Sequence, residues 1–241
     1  MDDLDSLLTD TNGIETVSIS SDDSSLKLQF LMRLSRHVTK ELGMQFHLLD
    51  FDLQFSSYLN NITAIEGLDE KLDSALFGIL QPAESSVEEA FTTIASSEAL
   101  RPNGLLVLDS INTLQTMLRN PELDSDSASA NHKASILITI LQEVARYYSK
   151  TLWITSINRE RPRTLDTGDI SWEREAVGGR MLMFKSDLAL SLHYLREETE
   201  NRFGKDPRPH NEAQVRVDRL HNGRFTIDQK KSYSIELIRR D

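Results

Sequence analysis

From Ile14 to Ser20 (IETVSIS) apolar and polar residues alternate with the period of a half-buried strand. Leu28, Leu31, Met32, Leu34 and Val38 then recur at helical spacing within Ser25 to Leu42, and Gly43 ends that pattern. Met44 to Phe51 (MQFHLLDF) predicts a second strand, and helical patterns around Leu68 to Leu80 and Val87 to Leu100 follow, separated by Pro82. Gly104 to Asp109 (GLLVLD) is a short, nearly continuous apolar run, which predicts a strand covered on both faces of a parallel sheet. The acidic, serine-rich residues 120 to 130 predict a loop, His132 to Ser149 a long amphipathic helix, and Thr151 to Ile157 (TLWITSI) another strand. Residues 158 to 180 are charged with little periodicity. Leu188 to Leu195, Ala213 to Leu220 and Ser232 to Ile238 close the chain as strand candidates. Strands alternating with helices, then mostly strands, predict a parallel sheet finished by an antiparallel edge.

Length and charge refine this picture. A chain of 241 residues suits one large α/β domain. Residues 1 to 13 are polar and acidic and end in the turn signal Asn12-Gly13, so they are expected as an acidic N-terminal arm, mobile or used for docking, ahead of a single domain over 14 to 241. No run of about 18 apolar residues is present, and the acidic start is unlike a secretory signal. The protein is therefore expected to be soluble and intracellular, cytoplasmic or nuclear/nucleoid, with no membrane partner. It contains no cysteine, which excludes disulfides, thiolate zinc sites and a cysteine nucleophile, and its six histidines complete no metal-ligand spacing. No metal and no cofactor are expected.

The net charge of −11 argues against a surface that coats nucleic acid throughout. The charge is divided unevenly. Residues 1 to 130 hold 7 Lys and Arg against 22 Asp and Glu, a net of −15, whereas residues 131 to 241 hold 20 against 16, a net of +4. One acidic and one basic face follow, the second able to meet a polyanion or an acidic partner.

A strand, a loop, a helix whose start carries a lysine, and a later apolar strand ending in Asp form the ground plan of P-loop NTPases. The segment AVGGRMLMFKSDLALSLHYLREE, followed by AQVRVDRLHNGRFTI, resembles the RecA superfamily, which includes the RecA/RadA recombinases and the RecA-like domain of replicative helicases. The likeness runs in element order over about residues 14 to 238. It implies a RecA-like P-loop NTPase fold: a mostly parallel central sheet with helices on both faces and an antiparallel C-terminal edge. It also implies that Asp109 stands at the position of the Walker B aspartate, although an Asp there caps the next helix equally well. Asp50 or Asp52 falls near the family's water-polarising glutamate, with capping or solvation as the plainer role.

A working phosphate loop, GxxxxGK[ST], uses glycines to wrap backbone N–H groups around phosphates, a lysine to reach the β and γ oxygens, and a hydroxyl for Mg²⁺. The matching stretch here is SDDSSLKL. Ser21 and Leu26 replace the glycines, Leu28 replaces the hydroxyl, and Asp22 and Asp23 put negative charge where a polyanion would sit. Lys27 alone is kept. It reads as a first-turn helix lysine whose charge offsets Asp22 and Asp23. These residues predict a non-catalytic site.

Arg159, Arg161, Arg163, Trp172, Arg174, Arg180 and Lys185 fall where the resemblance implies a mobile loop that contacts single-stranded DNA, and arginines around an aromatic suit phosphate contact with base stacking. Interspersed acids leave residues 158 to 185 with a net of only +1. Arg216, Arg219, His221 and Arg224 form a second basic cluster on the last strands and turn, a candidate surface for a partner or nucleic acid. The resemblance then implies an ATPase-inactive RecA-like paralogue in DNA repair or recombination. Its expected partner is a RecA-family catalytic subunit or another RecA-like paralogue, with single-stranded DNA as a candidate ligand. A divergent ATPase using Lys27, Asp109 and Asp50, or a signalling or scaffold protein of the same fold, are the alternatives.

Overall fold

The apolar run at residues 104 to 109 is buried along its whole length. Its pleat sends Leu105 and Val107 into one apolar cluster and Leu106 and Leu108 into another, so the strand has layers on both faces. The neighbouring strand divides in the same way, with Trp153 on one side and Leu152 and Ile154 on the other. The computed structural model describes residues 3–58, 77–80, 87, 91–92, 94, 100, 102–119, 127–164, 170–176, 178–194, 212–220 and 231–237. Among these the strands are β1 (Thr16–Ser21), β2 (Gln45–Asp50), β3 (Phe77–Leu80), β4 (Gly104–Asp109), β5 (Thr151–Thr164), β6 (Ile170–Ala176), β7 (Leu188–Tyr194), β8 (Glu212–Leu220) and β9 (Ser232–Glu236). The helices are α1 (Asp3–Thr11), α2 (Ser24–Arg36), α3 (Ile111–Met117), α4 (Ser127–Tyr147) and α5 (Gly179–Lys185), and a π turn, His37–Glu41, extends α2.

The main sheet runs β3-β2-β4-β5-β1-β7-β8-β9. Its first six strands pair in parallel and the last two pair antiparallel, as the order of elements along the chain predicts. Helices α1 and α2 pack in one core cluster with Val17, Phe46 and Tyr233. Helices α3, α4 and α5 pack in the other, with Leu49 and Leu106. Phe30 of α2 stacks on Trp153 at 6.3 Å between ring centroids, locking that helix across the middle of the sheet. Gly43, at φ 60, ends the α2 unit in the left-handed conformation that a helix stop favours. Gly104, at φ 123, sits so close to β2 that a Cβ would lie 2.1 Å from the Gln45 carbonyl oxygen, so only glycine fits.

Four expectations are revised. The segment expected as an acidic arm is helical over residues 3 to 11, because Leu4 and Leu7, one turn apart, are fully buried against the sheet. Asp3 Oδ2 accepts the backbone N–H of Ser234 on the edge strand β9 at 2.7 Å, and Asp10 pairs with Lys231 and Tyr233. Residues 77 to 80, within a predicted helical pattern, form a parallel strand beside β2, while residues 68 to 76 lie outside the described residues. Helix α4 begins at Ser127, inside the segment expected as a loop. Residues 158 to 164 and 170 to 176, expected as an aperiodic loop, form an antiparallel ribbon that extends β5 past the parallel sheet.

Candidate functional site

Strands β2, β4, β5 and β1 are parallel neighbours, so their carboxyl ends lie side by side, the edge at which open α/β sheets bind ligands. Ser21 ends β1, Asp50 ends β2, Asp109 ends β4, and α2 starts just beyond β1. Between β1 and α2 the chain closes on itself. Ser21 Oγ donates to the carbonyl of Asp23 at 2.9 Å, and Asp22 Oδ1 accepts from Asn158 Nδ2 at 2.8 Å. Asp23 is the N-cap of α2: its Oδ1 accepts the backbone N–H groups of Ser25 at 2.6 Å and Leu26 at 3.1 Å. A helix N-terminus attracts an anion, and here the anion is the chain's own carboxylate.

Lys27, one turn into α2, turns inward and is only 1% exposed. Its Nζ lies 2.6 Å from Asp52 Oδ2 and 2.5 Å from Asp109 Oδ1. Both carboxylates are held in turn. Ser110 Oγ donates to Asp52 Oδ1 at 2.9 Å, Thr113 donates to the same oxygen, and Thr155 donates to Asp109 Oδ1. Burial alone would push the Lys27 ammonium down, but Asp109 and Asp52 outweigh it and hold its pKa above the ordinary lysine value. For Asp52 burial works upward, yet Lys27, Thr113 and Ser110 hold the carboxyl below its usual range. Asp109 is pushed up, first by burial and then by the Asp52 charge, against the pull of Lys27 and Thr155. The cluster sets two carboxylates against one ammonium, and Asp109 Oδ2 has no hydrogen-bond partner among the described residues.

The structure brings together Ser21, Asp22, Asp23, Lys27 and Asp109, and corrects four roles. Lys27 pairs with Asp52 and Asp109 instead of offsetting Asp22 and Asp23, because its position in the first turn points toward the strand ends. Leu26 and Leu28 face the core instead of the loop. Asp50 is directed away: its Oδ2 accepts from the backbone N–H of Ser56 at 3.0 Å and its Oγ at 2.7 Å, so Asp52 is the carboxylate that reaches Lys27. Ser110, Thr113 and Thr155 carried no motif in the sequence. Their only signal was a hydroxyl just beyond Asp109 and another in the adjacent strand.

The basic residues are dispersed. Arg159, Arg161, Arg163, Trp172 and Arg174 occupy the β5–β6 ribbon, where the register sets Arg159 opposite Glu175, Arg161 opposite Glu173, Arg174 opposite Glu160 and Trp172 opposite Pro162. Arg163 faces Ser171, which leaves one of the four ribbon arginines without an acid across from it. Arg180 lies in α5, and Lys185 at its end donates to Thr139 Oγ1 at 2.7 Å. Arg216 and Arg219 lie on β8, Arg216 Nε donating to Gln214 Oε1 at 2.7 Å. His221 and Arg224 fall outside the described residues. Among the described residues no helix is long and apolar enough to cross a membrane.

Strand order, the parallel core with its antiparallel edge, and helices on both faces together make this a RecA-like α/β fold. The solved structures bear this out. The RadB recombinase superposes with a TM-score of 0.62 over 97% of this chain and 92% of its own, at 14% identity. A second solved structure, an ATPase domain, superposes with a TM-score of 0.56 over 91% of this chain and 80% of its own, at 13% identity. At sequence level no protein-family model and no curated protein matches the chain. What is shared at such identity is the fold.

Proposed function

We propose that the chain is a RecA-like subunit without ATPase activity, whose phosphate-binding position is filled by its own side chains. The supporting observation is the buried Lys27 ammonium, held at 2.6 Å by Asp52 and 2.5 Å by Asp109, beside an α2 N-terminus already capped by Asp23. A triphosphate would have to displace a carboxylate from that helix end and draw the lysine off two counter-charges. Asp22 and Asp23 would oppose it throughout.

In this reading the protein acts by association. It serves as an accessory subunit to a RecA-family catalytic partner in DNA repair or recombination, and single-stranded DNA is a candidate ligand of the β5–β6 ribbon. The context of repair rests on the likeness to a recombinase and on the basic carboxyl-terminal half. Affinity capture of the full chain from its native cells is expected to recover a RecA-family subunit in stoichiometric amount. Recovery of an isolated monomer alone would contradict the role.

A second reading, a divergent ATPase, draws on the same contact, since Lys27 and Asp109 do converge. It predicts that Mg-ATP raises the melting temperature by mass action and that Lys27→Met abolishes the rise. The first reading predicts no rise in either protein.

A further inference from the structure

Helix α4 has two apolar faces, and the fold uses one. Leu137, Ile138, Leu141 and Val144 are buried in the core beneath it. On the opposite side Ser129, Lys133, Ile136, Ile140, Glu143 and Tyr147 follow one another at alternating steps of four and three residues, the spacing of a coiled-coil seam. The apolar members of this seam are left in solvent: Ile136 is 48% exposed, Ile140 39% and Tyr147 81%. Phe184 of α5, whose neighbour Lys185 donates to Thr139 on α4, is 74% exposed. Single exposed apolar side chains are ordinary, but a stripe of them at seam spacing marks a surface that another helix covers.

The order of residues in the seam says what covers it, because the seam is complementary to itself read backwards. A two-fold axis at Ile138, with two copies of α4 antiparallel, sets Ile136 of one copy on Ile140 of the other, Lys133 on Glu143, and Ser129 on Tyr147. Each of these layers occurs twice, once on either side of the axis. Apolar meets apolar, acid meets base, and the large Tyr147 ring meets a small serine. Glu143 is exposed and engages Arg146 Nη1 through Oε1 at 2.7 Å. Lys133 is exposed and makes no ion pair among the described residues. A parallel pair in register would instead set Lys133 on Lys133 and Glu143 on Glu143, so charge selects the antiparallel arrangement.

We propose that the exposed seam of α4 is a homodimer interface, covered by the same seam of a second copy of this chain. The surface is separate from the Lys27 cluster, none of whose members lies on α4. Sedimentation equilibrium of the full chain tests it. The mass is expected to rise from 27.4 kDa toward twice that value as the concentration increases through the micromolar range. Lys133→Glu and Glu143→Lys each place like charges in two layers, and each should weaken association by about tenfold or more. A melting temperature close to that of the parent checks that both variants fold. An equimolar mixture of the two variants should regain the parent's association, because every charged layer of the mixed dimer again holds one acid and one base. A chain that stays monomeric throughout, which would leave the seam to a different partner, overturns the proposal. So does a dimer that neither single variant weakens, or a mixture that associates no better than its components.

Discussion

A lysine ammonium that is 1% exposed must be paid for in counter-charges, and Lys27 has two. Removing it strands Asp109 and Asp52 in the interior. Lys27→Met is therefore expected to cost about 3–5 kcal/mol, measured by urea unfolding. The double variant Lys27→Met/Asp109→Leu should recover a large part of that loss, because one of the stranded carboxylates goes with its partner. Additive losses would mean that packing, and not charge pairing, sets the cost. His47 gives a second residue-scale test. Burial first, and then the Lys150 ammonium, bring its pKa down to about 4 from 6.5. Between those values the unfolded chain takes up a proton that the folded chain refuses, so stability falls as pH drops from 6.5 toward 4. His47→Gln should show a shallower fall than the parent over that window, and identical pH profiles would contradict the assignment. At this scale the sequence was only partly informative. Lys27 and Asp109 were visible because one stands at the start of a helical pattern and the other closes an apolar strand. The choice of Asp52 over Asp50 was not, because it depends on how the chain turns after β2 and on Ser56 taking Asp50.

Elements were legible where apolar periodicity was strong. The α2 unit and β1, β2, β4, β7, β8 and β9 follow the hydrophobic pattern closely. Elements whose pattern is written in charges were not. In α1 the acids obscured Leu4 and Leu7, and in the ribbon RERPR and SWERE alternate charge with no apolar face to mark a strand. The ribbon's register sets residues of opposite sign across from one another, and the ribbon's seven charges come to a net of +1. Single-stranded DNA should accordingly bind the ribbon weakly, with a shallow dependence on salt. Replacing Glu160, Glu173 and Glu175 by Gln removes the acids opposite three arginines, and each new phosphate contact is expected to steepen the slope of log K against log salt by about 0.7. Fluorescence anisotropy with a labelled oligonucleotide measures this. An unchanged slope would remove the ribbon from the nucleic-acid surface.

Across the molecule, the two ends of the parallel strands have different characters. At the carboxyl end the chain's own carboxylates cap α2 and hold Lys27, and at the amino end α1 packs on the β9 edge and frames an open cleft. A parallel sheet with an antiparallel finish was readable from the sequence, because consecutive β-α-β units constrain the topology to few solutions, whereas β3 and the place of each strand in the sheet were not. How the charges of distant segments meet was not, since Lys27 lies 25 residues from Asp52 in sequence and the sheet alone brings them together. The account depends on the carboxyl end being occupied by the chain itself. Isothermal titration of the full chain with Mg-ATP tests this most directly. No heat of binding up to millimolar nucleotide is predicted, and a saturable one-to-one isotherm that Lys27→Met eliminates would contradict it.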